Sequence, residues 1–183
     1  MTTAAVLWRR IDEPGHDACR VGPTDDGWLV QGTAVFLHDG TPARLDYGVT
    51  CDRAWHTRAA TVNGWIGSEP VSHAIERTED GRWLLDGSPV PGLDGCVDVD
   101  FGFTPATNLP QLRRLALEIG QAAEYSVAWL DVPPGNLTRL AQRYERRTAG
   151  SYAYDSPSFG YHEVLEVDTA GFIRHYPGLW VAE

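Results

Sequence analysis

Between Gly95 and Asn108 the chain reads GCVDVDFGFTPATN, and in it Asp98 and Asp100 alternate with Val97, Val99, Phe101 and Phe103. Side chains along a strand point to opposite faces in turn, which puts the four apolar residues on one side and both acids on the other, roughly 7 Å apart. Strands avoid Asp, and folding four inward apolar residues requires no acid opposite them. The pair is therefore a candidate for chemistry. Carboxylates accept hydrogen bonds and can hold sugar hydroxyls. They can equally pair with Arg113 and Arg114, pinning the following segment to the strand. A third use is acid and base toward a glycoside or an ester, since the separation lies in the range of glycosidases. Catalytic pairs, however, usually come from separate strands that face a cleft.

The strand pattern breaks at Thr104-Pro105, where the proline biases Thr104 to an extended backbone. Thr107 and Asn108 are suited to cap a helix that enters through Leu109-Pro110. The spacing predicts a short helix over Thr107 to Arg113. Thr104, Thr107 and Asn108 read either as turn and cap residues or as ligand donors. Among the 7 tryptophans, Trp55 beside His56 and Trp65 beside Asn63-Gly64 lie in polar runs and are ligand candidates. The others read as core, because large aromatics fill a curled sheet. The 6 histidines form no HxH or HExxH set, so no metal is expected. No GxSxG, Walker loop or GxGxxG is present, and no cofactor is expected.

A formal charge of -10 argues against nucleic acid or an anionic membrane surface as partner. All positive side chains are arginines. Cys19, Cys51 and Cys96 are widely spaced and form neither a disulfide framework nor a zinc site. Buried thiols in a reducing compartment account for them, and a cytoplasmic location is expected. The N-terminal MTTAAVLWRRID lacks the pattern of a signal peptide. No apolar run reaches the length of a membrane span, so no integral membrane association is expected. The length fits one domain over residues 1–183.

Asp-Gly pairs at Asp26, Asp39, Asp80, Asp86 and Asp94 mark tight turns between short β-rich runs. Trp28 to Leu37 is apolar on both faces. In Thr41 to Asp52, Ala43, Leu45, Tyr47, Val49 and Cys51 alternate with polar residues, as in a half-buried antiparallel strand. Weaker strands fit Val6 to Ile11 and Asp17 to Val21, and the meander continues through Thr57 to Ile66, Val71 to Thr78 and Arg82 to Leu85. Leu115, Leu117 and Ile119 alternate and predict a strand that pairs with Tyr125 to Val132, although Leu109, Leu112 and Leu115 also fit a helical period. Leu137 to Arg147 is ambiguous in the same way. Ser151 to Asp155, Tyr161 to Asp168 and Phe172 to Tyr176 read as strands. Such frequent strand signals with little helix indicate a mainly β sheet, roll or barrel.

GCVDVDFGFTPATNLPQLRRL, the later AWLDVP and the ending VDTAGFIRHYPGLW resemble the bacterial family described as "putative glycolipid-binding" proteins. The resemblance covers nearly the whole chain and is most specific over Asp98 to Arg114. It implies a spiral β-roll, a long antiparallel sheet curled around one short helix, likened in shape to periplasmic lipoprotein carriers. It also favours a strand over Leu137 to Arg147. The function implied is non-catalytic binding of a glycolipid or other amphipathic small molecule in a pocket inside the curl. Asp98, Asp100, Thr104, Thr107, Asn108, Arg113, Arg114, Trp55 and Trp65 are the expected ligand residues. Two other readings stay open: a hydrolase of glycosides or esters using Asp98 or Asp100, and a structural or regulatory homodimer formed through a sheet edge or a hydrophobic face.

Overall fold

Buried and exposed side chains alternate along strand after strand, which requires a sheet with one dry face and one wet one. In the computed structural model, which describes residues 3–183, a first meander runs through eight strands. These are β1 (Ala4–Arg10), β2 (Gly15–Pro23), β3 (Gly27–His38), β4 (Thr41–Asp52), β5 (Thr57–Ile66), β6 (Glu69–Arg77), β7 (Trp83–Leu85) and β8 (Ser88–Val90). The chain then forms β9 (Val99–Phe101), a 3₁₀ turn at Pro105–Thr107 and the helix α1 (Asn108–Leu115). A second meander follows with β10 (Ala122–Asp131), β11 (Asn136–Thr148), β12 (Ser151–Ser156), β13 (Tyr161–Val167), β14 (Ile173–Tyr176) and β15 (Trp180–Ala182).

All fifteen strands belong to one sheet, which is curled and open. Within each meander sequence neighbours pair, and β1 joins the two meanders by pairing with β15, Trp8 opposite Ala182. This leaves β8 and β9 as the edges. Every pairing is antiparallel except β9 with β10, which is parallel with α1 in the crossover. The curl carries the β9 edge onto the far meander. The Thr57 N–H donates to the Val97 carbonyl at 3.0 Å, and the Val99 N–H donates to Thr57 Oγ1 at 3.1 Å. The Trp83 indole and the Arg77 guanidinium both donate to the Cys96 carbonyl, at 3.1 and 3.2 Å.

β4 follows its sequence pattern, with Ala43, Leu45, Tyr47, Val49 and Cys51 all buried. Asp39-Gly40 and Asp86-Gly87 take positive φ at both residues, 50° and 74°, and 52° and 77°, the geometry of a two-residue hairpin that matches strand twist. Asp94-Gly95 instead lies in the loop ahead of β9. Leu137 to Arg147 is strand, within β11.

Three local expectations are corrected. The strand in the Asp98 segment is only Val99–Phe101, and both of its faces are buried because it lies inside the curl. α1 extends past Arg113 to Leu115 and stops where Ala116 adopts a left-handed φ of 45°, its N–H returning to the Leu112 carbonyl at 3.1 Å. Leu115 to Ile119 is not a strand: Leu115 completes the helix, Leu117 is buried and Ile119 is exposed. Helical spacing wins over alternation there because Gly120 and Gln121 already pair with the Arg146 backbone at 2.7 and 2.9 Å, closing a turn with no room for a strand before it.

Gly32 in β3 faces Tyr47 in β4. A Cβ at Gly32 would stand 2.4 Å from the Tyr47 hydroxyl and 2.6 Å from the Ala18 carbonyl. The missing side chain is what lets the tyrosine lean across the sheet. Gly32→Ala is expected to cost about 1–3 kcal/mol through overpacking, read as a lower urea midpoint with an unchanged slope.

Candidate functional site

Pro105 holds Thr104 extended, at φ -151° and ψ 144°, and Thr104 Oγ1 accepts from the Ala106 N–H at 3.0 Å. The same hydroxyl donates to Asp17 on β2. Thr107 Oγ1 accepts from the Phe101 N–H at 3.2 Å and donates to Asp100 at 2.5 Å. Thr107 occupies the cap position of α1 without a side-chain cap bond, and Asn108 Nδ2 donates to the Tyr144 hydroxyl at 2.6 Å. Capping of α1 by Thr107 and Asn108 is thus corrected. Their polar atoms serve buried partners instead, and Thr104 caps the 3₁₀ turn.

The two acids of the central segment have different fates. Asp98 is fully buried and held by Arg114, with Nε at 2.9 and 3.1 Å from its oxygens and Nη2 at 2.6 Å. Burial still pushes its carboxyl above the usual range, outweighing the guanidinium. Asp100 accepts from Thr107, from Gln142 Nε2 at 2.7 Å and from the Phe101 backbone, with no cation among its partners. Burial raises its carboxyl to about 6, against the pull of those hydrogen bonds. Asp17 is the counterpart in the other meander. It accepts from Thr104 and from the Tyr47 hydroxyl at 2.9 and 3.0 Å, and burial raises it to about 6. Neither Asp17 nor Asp100 forms an ion pair among the described residues.

Between β9, β11, β12 and β14 lies a recessed cavity of about 320 Å³. Asp100, Thr104 and Asn108 supply polar groups to it, and Trp129, Phe159 and Tyr154 supply ring surface. Phe159, 59% exposed, meets Trp129 edge-on with centroids 5.3 Å apart. Gly102 sits beneath that indole, where a Cβ would come within 3.2 Å of the ring. Tyr154, Tyr161 and Tyr176 pack on one another at 5.4 to 6.0 Å and complete the aromatic wall. Ser156 Oγ, also in the lining, is buried beside Tyr154 and makes no well-formed hydrogen bond among the described residues. A larger depression of about 760 Å³ lies on the outer face of β1–β4, where exposed Leu7, Ala18 and Arg20 contribute to its lining.

Of the residues expected from sequence, the structure brings Asp100, Thr104 and Asn108 to the cavity. Asp98, Thr107, Arg113 and Arg114 do not line it: Arg113 donates to the Thr169 and Ala170 carbonyls, not to an acid. Trp55 lies in the other meander, stacked on Trp28 at 4.6 Å and 5°, and Trp65 on β5 is 40% exposed. Sequence reasoning missed Asp17, which shares the buried face of β2 with Cys19 and Val21. It also missed Gln142, Ser156 and the tyrosine wall, which resemble ordinary strand residues until the sheet curls.

The sequence model of the family described as "Putative glycolipid-binding" matches residues 5–182. The chain belongs to that family. The crystal structure of a DUF1089 family protein from Pseudomonas aeruginosa, at 1.80 Å resolution, matches this family member with a TM-score of 0.81 and 31% identity, over 98% of this chain and 97% of that one. Comparison with curated proteins finds no match. No helix among the described residues is long and apolar enough to cross a membrane.

Removing Arg114 would leave a buried carboxylate unpaired, so Arg114→Ala is expected to cost about 3–5 kcal/mol in denaturant unfolding. A second expectation concerns Asp17, whose carboxyl is raised to about 6 when folded against about 3.9 when unfolded. The folded state binds this proton more tightly, so the contribution is fully present below about pH 4 and is lost as pH rises through about 6. Relative to Asp17→Asn, the wild type should lose up to roughly 3 kcal/mol between about pH 4 and 7.5. Urea unfolding of both at the two pH values measures it, and a pH-independent difference would show ordinary acidity at Asp17.

Proposed function

We propose that the protein binds a glycolipid or related amphipathic small molecule, without turning it over, and holds the head group in the 320 Å³ cavity. The observation that carries this reading is the combination of an aromatic wall with a buried hydroxyl at Ser156 that no well-formed hydrogen bond satisfies. A polar group that closes a fold finds its partner within the fold; one that faces a cavity and lacks a partner suits a ligand. The family description supports the same reading.

The cavity is near the lower end of ligand pockets, which span roughly 300–1,000 Å³. It suits a head group and the first carbons, with the remainder passing the exposed ring of Phe159. Each methylene covered contributes about 0.8 kcal/mol. The site residues in this reading are Asp100, Thr104, Asn108, Trp129 and Ser156. All three cysteines are buried and unpaired, which suits a reducing compartment and supports a cytoplasmic location. The β1–β15 pairing and the Thr57 contacts with the β9 segment support a single folding unit.

Native mass spectrometry of gently purified protein should reveal a co-purified amphiphile, and calorimetry should detect an alkyl glycoside. Trp129→Ala should weaken that binding by about tenfold or more through loss of ring stacking. A clean apo mass with no heat from any member of a lipid and glycoside panel would overturn the proposal.

A further inference from the structure

The ionisable side chains that line the cavity are acids and tyrosines only. Asp100 and Asp131 contribute carboxyls, while no arginine or histidine lines it among the described residues and the chain has no lysine. The nearest comparable case, Asp98, is neutralised by Arg114; Asp100 is also buried and receives a hydroxyl, an amide and a backbone N–H, but no cation. A buried carboxylate without a counter-charge is costly to keep, and at a cavity wall the missing counter-charge can arrive with a ligand. The unsatisfied atoms point the same way. Ser156 Oγ in the lining is buried beside Tyr154 without a well-formed hydrogen bond; Gln142 Oε1 is also unsatisfied but is not part of the lining. A carboxylate oxygen is an acceptor, and a serine hydroxyl can accept as well. An ammonium group brings three N–H donors and a positive charge.

The rings fit the same group. Aromatic faces attract a cation by their quadrupole, and Trp129, Tyr154 and Tyr176 line the same cavity as Asp100. Trp180, which also lines it, already carries the Arg10 guanidinium 5.3 Å from its centroid. That arginine is paired with Asp12 and is not part of the lining. An anionic head group such as a phosphate would meet acids and no donor cation.

We propose that the cavity selects a head group bearing a protonated amine, paired with Asp100 and hydrogen-bonded to Ser156. This rests on the cavity being the ligand site. Two sources share that chemistry, an amino sugar and a simple alkylamine.

The test is calorimetry below the micelle threshold with four probes of one chain length: octyl glucosaminide, octylamine, octyl glucoside and octyl phosphate. The glucosaminide should bind at least about tenfold tighter than the glucoside, as expected for a charge-assisted hydrogen bond, and the phosphate weakest. In Asp100→Asn the ratio between the two glycosides should fall to near one. The variant is expected to fold, since the Gln142 amide can turn its unpartnered oxygen to the new Asn amide. Ser156→Ala, a milder change, should reduce the ratio a few-fold and guards against misfolding of the first variant. Octylamine binding as well as the glucosaminide assigns recognition to the amine alone; binding of the glucosaminide only assigns it to the amino sugar; both support the proposal. Equal affinity of the two glycosides, or a ratio unchanged in Asp100→Asn, overturns it while leaving the cavity as a glycolipid site. Silence from all four probes removes both readings together.

Discussion

The fold depends on the docking of the β9 edge against Thr57. A strand edge placed in a protein interior carries backbone groups that need partners, and this edge finds them on both sides. β10 pairs with it directly, and Thr57 meets it with backbone and hydroxyl. Once that contact is made, the sheet cannot lie flat. The side chains of the Asp98 segment are then forced inward whatever their polarity, and the polar interior of the roll follows from that one constraint.

Inside, threonine does much of the adjustment. Thr104 and Thr107 each both accept from a backbone N–H and donate to a carboxyl, so a single hydroxyl closes a turn and serves an acid. Asp98 has a full counter-charge, whereas Asp17 and Asp100 have none. Hydrophobic residues of similar volume would commonly make a more stable interior. The retention of two uncompensated acids therefore marks an interior shaped by something besides stability, and the one beside the cavity has an evident use.

Much of the fold was legible in the chain. The alternation of Ala43 to Cys51 gives β4 its face, and Asp39-Gly40 and Asp86-Gly87 take the hairpin geometry their residue types favour. The family resemblance, carried by the Asp98 to Arg114 segment, indicated the curl around a short helix. Local pattern did not reveal which strand residues would converge. Asp98 and Asp100 look equivalent in sequence, yet only one reaches the cavity, because Arg114 emerges from α1 on the side of the other. Trp55 and Trp65 drew attention by their polar neighbours, but they belong to the meander away from the cavity. Tyr154, Ser156 and Tyr176 carried no such signal. Their significance arises from pairings that one-dimensional spacing does not contain.

The partnership of β1 with β15 has a consequence for how the chain comes together. Every other strand finds its neighbour next in sequence, whereas this pairing closes a loop from Trp8 to Ala182. Local hairpins form early and distant pairings late, because the chain entropy lost in closing so long a loop is recovered only at the end. As the polypeptide leaves the ribosome, the outer rim of β1 stays bare until the last strand has been made. Nascent chains are thus exposed to edge-to-edge association until β15 has been made, a vulnerability the finished roll no longer shows at β1.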